Sequence, residues 1–299
     1  MTVSDGASPR VLGFVGGSGL YDLDGLEGAD AKEIQTPWGR TSGPVVFARI
    51  GDVDVRFLAR HGLGHTLTPG AVNYRANIDA MKRAGVTDLY SISACGSFRE
   101  DLPPGAFVIV DQFIDRAAHR DNSFFGPGCV AHVSMADPVC PNLAAAAADA
   151  CAALGISHEA RGTYLSMDGP QFSSRAESNL YRSWGCDIIG MTNATEAKLA
   201  REAELPYASI AMVTDFDCWR ETGEAVEVAA ILDVMRDNVA TAKRLIPLLA
   251  ERLGAMRTPS PLGIETCLDF AIITPPAARD PVLLEKLDAI AGRALGRQA

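Results

Sequence analysis

Residues 184–219 read WGCDIIGMTNATEAKLAREAELPYASIAMVTDFDCW, and the alternation inside them decides the fold. Asp187 to Met191 is a short apolar run of strand length, Asn193 to Glu202 has helical composition, and Tyr207 to Thr214 is a second apolar strand. A strand, a helix and a strand in so short a span point to an α/β sheet with functional groups at strand C-terminal ends. The pattern extends outward. Val11 to Val15 is a strand running into Gly16, Gly17, Ser18 and Gly19, and Val45 to Ile50 with Val53 to Leu58 flank the turn pair Gly51-Asp52 as a hairpin. Asn73 to Ala84 has helical spacing closed by Gly85, and Asp88 to Ser93 and Phe107 to Phe113 are further strands. Downstream come a helix over Leu143 to Leu154, a strand over Ala160 to Met167 and a helix over Ser174 to Trp184. Val226 to Leu253 reads as one long helix or two joined ones.

Asp115 to Cys140, rich in Gly, Pro, His and Asn, is an irregular excursion of the kind that often carries function. After Leu253 the linker GAMRTPSPLG breaks the helix, and a short apolar segment, Phe270 to Ile273, precedes an amphipathic helix from Pro281 to Leu295. These cues divide the chain into a catalytic domain over 10–253 and a tail over 254–299 that packs on that domain or on a neighbouring subunit. There is no internal repeat.

Composition narrows the function. A chain of 299 residues with 47% apolar side chains can fill a substantial core, and its net charge of -10 opposes binding to nucleic acid or to an anionic membrane surface. No apolar run is long enough for a membrane helix, and MTVSDGASPR lacks the parts of a signal peptide, so a cytoplasmic address is expected. Seven cysteines without paired spacing read as reduced thiols, and no metal site is expected.

Chemistry concentrates at strand ends. Gly16 to Gly19 can bring backbone N–H groups and the Ser18 hydroxyl to an anion, although a plain tight turn has the same sequence, and Asp22 stands where a dinucleotide fingerprint needs its third glycine. Arg60-His61, with His65 behind, supplies donors suited to phosphate, and a surface arginine there would be replaceable without harm to the fold. Ser93 to Ser97 carries small residues that expose backbone donors or simply allow close packing. Thr214-Asp215-Phe216-Asp217 ends an apolar strand with two carboxylates, which a period of two would place on one side. Buried carboxylates are costly unless they meet donors, cations or a ligand.

Together these segments resemble the methylthioadenosine phosphorylase branch of the trimeric purine nucleoside phosphorylase family. The matching strings are GGSGL at Gly16, ARHG at Ala59, NYRAN at Asn73, ACGS at Ala94, DQFIDR at Asp111, GPQFSSRAES at Gly169, WGCDIIGMT at Trp184 and ASIAMVTDFDCW at Ala208. They fall in family order over roughly residues 10 to 295. The resemblance implies a single α/β domain whose central mixed β-sheet is partly closed into a barrel and flanked by helices. It implies phosphorolysis of a purine nucleoside, most directly 5'-methylthioadenosine, with inorganic phosphate as co-substrate, no cofactor, and a homotrimer. Phosphate would meet Ser18, Arg60, His61, the Ala94 backbone N–H and Thr192. Met191 would pack on the ribose, Phe172 and Ser173 would line the base, and Thr214 belongs to the same region. Asp215 would act at purine N7, its acidity lowered by burial and by the Asp217 charge, and Asp217 would face the exocyclic amino group. His132, Val228, Ile231 and the tail around Ile273 would form the 5' pocket, with His132 and the tail supplied by the adjacent subunit.

Three departures from the family pattern stand out. Gln171 replaces an arginine beside the base, Thr195 replaces a proline before Glu196 and would loosen the loop after Thr192, and Glu265-Thr266-Cys267 keeps only the second of two tail cysteines. A phosphorylase for another purine nucleoside such as methylthioinosine, adenosine or inosine, a hydrolytic nucleosidase, a non-catalytic nucleoside-binding protein and a nucleotide-dependent oxidoreductase are the competing readings, and a nucleoside panel, phosphate dependence, turnover and cofactor absorbance separate them.

Overall fold

A computed structural model describes residues 8–17, 26–220 and 228–296, with residues 228–230 described by backbone alone. The first strands are Ser8–Pro9 (β1), Val11–Gly16 (β2), Glu27–Lys32 (β3), Val45–Ile50 (β4) and Val53–Ala59 (β5), followed by helix Tyr74–Arg83 (α1) and strand Asp88–Ser97 (β6). β4 and β5 form the antiparallel hairpin that Gly51-Asp52 predicts, with Ile50 opposite Val53. The Asn73 side chain accepts from the Ala76 N–H and so starts α1 one residue later than its apolar spacing suggests. β3 lacks any sequence signal: EGADAK is exposed along its whole length and is a polar edge strand against β4.

Next come Phe107–Val110 (β7), Gln112–Asp115 (β8), helix Pro141–Ala153 (α2), His158–Glu159 (β9), Thr163–Ser166 (β10), helix Arg175–Ser183 (α3) and Ile188–Gly190 (β11). Helix Asn193–Glu202 (α4), strand Tyr207–Asp215 (β12) and helix Val228–Leu253 (α5) complete the alternation, with Pro247 inside the single long helix. The tail adds Met256–Arg257 (β13), Pro281–Lys286 (α6) and Asp288–Ala291 (α7). The helix predicted from Pro281 to Leu295 is therefore two short ones that meet at Leu287, which is turned into the core.

β6 is the hub of a mixed sheet. It runs parallel to β2 through its first half and parallel to β12 along nearly its whole length, and its end pairs antiparallel with β11. β10 lies parallel between β11 and β8, and β12 pairs antiparallel with β7. The pairings thus run β7–β12–β6–β11–β10–β8. The apolar run at 107–113 bends at Asp111 from β7 into β8, and among the described residues no ladder joins those two strands. Helices cover both faces. Tyr90 and Ile92 point into a cluster with Leu143, Leu245 and Leu249 of α2 and α5, while Leu89 beside them joins Ile78, Met81 and Leu199 of α1 and α4. The tail residues Leu268, Leu287 and Ile290 are buried in that second cluster, so the tail packs on its own chain. Among the described residues no helix is long and apolar enough to cross a membrane.

Candidate active site

The C-terminal ends of β5, β6, β10, β11 and β12 and the Gly17 turn after β2 surround one cavity of about 400 Å³. Of the predicted site residues it gathers Arg60, His61, Ala94, Phe172, Met191, Thr192, Thr214, Asp215, Asp217 and Ile231. Ser18 lies outside the described residues, as does the side chain of Val228.

Arg60 follows β5, but it is not the free strand-end cation that the sequence suggests. It is buried, and Nε and Nη2 form a bidentate pair with Glu196 of α4, Nη2 meeting Oε2 at 3.0 Å. Nη2 also reaches the Val15 carbonyl and the Ser91 hydroxyl, and Nη1 donates to the Ile92 carbonyl at 3.2 Å. Of the five guanidinium N–H groups, one on Nη1 is left for a ligand. His61 faces the cavity and donates from Nδ1 to the Leu67 carbonyl at 2.9 Å. Burial and the Arg60 charge push its pKa down to about 4, so the ring is neutral at physiological pH. Thr192 sits at the start of α4, its hydroxyl 2.8 Å from Asn193 Oδ1.

The carboxylates meet by a turn rather than by strand period. β12 bulges between Val213 and Asp215 and ends there, and Asp217 takes a left-handed φ of 52°. The Asp217 N–H donates to Asp215 Oδ1 at 2.7 Å, and the Thr214 hydroxyl donates to Asp215 Oδ2 at 2.8 Å. Gly96 makes room, since a Cβ there would stand 3.0 Å from Asp215 Oδ1. Burial raises the Asp215 pKa, against the opposing hydrogen bonds from Thr214 and Asp217, and the Asp217 charge is not among its causes. Asp217 is the one raised by burial and by its neighbour Asp215 together. The Ser178 and Ser173 hydroxyls offset part of that rise, yet Asp217 Oδ2 is buried with no hydrogen-bond partner among the described residues.

The remaining walls come from loops. Met191 packs over Gly169, where a Cβ would stand only 2.3 Å from the Met191 sulfur and φ is +65°. Arg120, from the irregular excursion, donates to the Met191, Met167 and Asp168 carbonyls and ties the ends of β10 and β11 together. Phe172 lines the cavity and is 55% exposed, whereas Ser173 is buried and does not line it, its hydroxyl on the Met167 sulfur. Gln171 is exposed and does not line the cavity, so its missing charge leaves the described walls unchanged. Ile231, Met235 and Val239 present one stripe of α5, and the last two follow from the helical spacing that picks out Ile231.

His132 and Ile273 are not brought to the cavity of this chain. They lie side by side on the surface, the His132 N–H donating to the Ala271 carbonyl and the Ile273 N–H to the Val130 carbonyl, with Ile273 60% and Phe270 99% exposed. Thr195 is not in a loop but fully buried in the first turn of α4. No local signal in the sequence marks Glu196 or Arg120 as parts of the site. Cys267 is half-buried with its thiol on the Arg201 carbonyl, and all seven cysteines are free. Among the described residues no cluster of His, Cys, Asp or Glu can hold a metal ion.

The helix-flanked mixed sheet is the nucleoside phosphorylase fold, and the donors and paired acids gather at its strand ends. Residues 11–250 match the model of the phosphorylase superfamily, and the chain belongs to that family. It is 56% identical over 285 residues to the S-methyl-5'-thioadenosine phosphorylase of Bradyrhizobium diazoefficiens, covering 95% of this chain and 98% of that one. It is 55% identical to the protein of that name from Cereibacter sphaeroides, with the same coverage. Among solved structures, a methylthioadenosine phosphorylase from an Antarctic soil metagenomic library superposes with a TM-score of 0.89 at 42% identity, over 94% of this chain and 99% of that one. The methylthioadenosine phosphorylase of Schistosoma mansoni in complex with adenine gives 0.78 at 36% identity, over 82% and 92%.

Proposed function

We propose that this chain splits 5'-methylthioadenosine with inorganic phosphate into adenine and 5-methylthioribose 1-phosphate. One observation carries the reading: the cavity has donors at one end and two acids at the other. Arg60 binds the Ile92 carbonyl and Asp215 abuts Gly96, four positions further along β6. At strand rise that is a separation of roughly 13 Å, enough for a phosphate and a purine nucleoside in line. Phosphate would sit among Ser18, Arg60, His61, the Ala94 N–H and Thr192, with the ribose on Met191 and the base between Phe172 and the Thr214 to Asp217 turn.

Breaking the glycosidic bond places positive charge on the sugar and negative charge on the departing purine. Asp215, held protonated longer than an ordinary aspartate by burial, supplies the proton at N7. Asp217 Oδ2, lacking a partner among the described residues, accepts from the 6-amino group. The phosphate oxygen then bonds C1' as the base leaves, and enclosure by the walls fixes the approach. Ile231, Met235 and Val239 supply an apolar surface for a methylthio group. The exposed apolar strip at Phe270 and Ile273 beside His132 supports a homotrimer in which this strip closes a neighbour's 5' pocket.

Incubating methylthioadenosine with and without phosphate and identifying the products tests the proposal. Cleavage only with phosphate, releasing adenine and a sugar 1-phosphate, is the expected result; equal cleavage in phosphate-free buffer overturns it.

A further inference from the structure

The tautomer of His61 is set by the backbone. Its Nδ1 lies 2.9 Å from the Leu67 carbonyl oxygen, which can only accept, so Nδ1 carries the hydrogen. Nε2 has no hydrogen bond with any described residue, and the ring lines the cavity. A second hydrogen on Nε2 is opposed by nearly everything packed there. Burial, the Arg60 guanidinium, the stacked His65 ring at 4.4 Å and Arg120 all disfavour the cation, against the Leu67 carbonyl that favours it. Glu196, on the far side of Arg60, is held by that guanidinium through two hydrogen bonds.

We propose, on the reading that this cavity takes phosphate, that His61 is a fixed hydrogen-bond acceptor for a P–OH group and makes the site select a protonated tetrahedral anion over a fully deprotonated one. Hydrogen phosphate and hydrogen arsenate carry such a hydroxyl at neutral pH. Sulfate carries none and meets the Nε2 lone pair with another lone pair. Because Glu196 already matches the Arg60 charge, that guanidinium does not by itself favour all anions alike. An acceptor facing an acceptor in a desolvated site weakens binding by roughly ten- to a hundredfold.

Calorimetric titration of the intact protein with phosphate, arsenate and sulfate at neutral pH tests this. Phosphate and arsenate are expected to bind within a few fold of each other, and sulfate roughly ten- to a hundredfold more weakly; equal affinity for sulfate overturns the inference. In His61→Asn the amide can turn its N–H to the anion, so the phosphate-to-sulfate ratio should collapse towards one; an unchanged ratio counts against His61. Nitrogen-15 NMR of the native imidazole needs no variant: Nδ1 protonated and Nε2 bare across the neutral range is expected, and a proton on Nε2 overturns the inference. Lost selectivity with phosphate-dependent cleavage intact sinks this inference alone. Failure of all three anions to bind, with cleavage running without phosphate, sinks the phosphorylase reading beneath it.

Discussion

Replacing Glu196 with alanine should damage the fold more than the site. Glu196 and Arg60 are each about 2% exposed and bound to one another twice, so removing the acid leaves a guanidinium buried without its counter-charge. Breaking such a pair costs about 3–5 kcal/mol. For a chain of this size each kcal/mol moves the melting temperature by about 2–4 °C, which places the loss at roughly 6–20 °C. Arg60→Ala should behave alike, because it strands the Glu196 carboxylate, so any effect on phosphate use must be read on folded protein. The double variant Arg60→Met, Glu196→Met removes both charges and should recover much of the loss, because an apolar pair of similar volume is often neutral or better. Differential scanning calorimetry with urea melts on native, single and double variants measures all three. If Glu196→Ala falls within about 1 kcal/mol of native, or the double variant is as unstable as the single ones, the pair is not the buried, charge-matched unit described here.

Asp217→Asn should shift the base preference from 6-amino towards 6-oxopurines, since the amide can donate to O6; the ratio of kcat/KM for methylthioadenosine and methylthioinosine, expected to move by roughly tenfold or more, reads this, and an unmoved ratio refutes it. Because burial raises the Asp215 pKa, the acid form needed at N7 is present below that raised value and is lost as pH rises through it, so kcat/KM should fall on the alkaline side. Asp215→Ala should lower kcat by about 10²–10⁴-fold and flatten that limb, and an unchanged alkaline limb would count against Asp215 as the acid. The same sign holds for stability: an acid raised on folding favours the native state below its unfolded pKa and loses that contribution as pH climbs through the folded one. Truncation after Leu253 should leave no folded monomer, since Ile264, Leu268, Leu287 and Ile290 are all buried. At about 1.5–3 kcal/mol each, they rival the whole roughly 5–15 kcal/mol of a native domain. A soluble, cooperatively melting truncation would refute this.

What was legible in the sequence was whatever rests on local period and turn chemistry. The Gly51-Asp52 hairpin, the helix from Asn193 to Glu202 and the strand from Tyr207 follow from spacing alone and stand where that spacing puts them. β3 was invisible because an edge strand of exposed polar residues needs only backbone pairing, which leaves no mark on EGADAK. Asp215 and Asp217 were legible as a pair but not as a turn, because the left-handed residue at 217 is an aspartate and not a glycine. Glu196 was illegible for another reason. Its partner lies 136 residues away, and nothing local separates an acid that solvates a helix face from one that neutralises a buried arginine.

That distant pairing bears on how the chemistry works. Arg60 is the one permanent cation among the described lining residues, and its charge is already answered by Glu196, while His61 is neutral. On the proposed reading, a phosphate bound there would be held by hydrogen bonds more than by the Arg60 charge, so much of its own negative charge would stay uncancelled by that pair. The developing oxocarbenium ion is the next positive charge it meets, and that charge exists only in the transition state. Stabilisation of this kind lowers the barrier without tightening the ground state to the same degree. A more cationic phosphate pocket would bind the anion better and leave it less charge to give to the sugar.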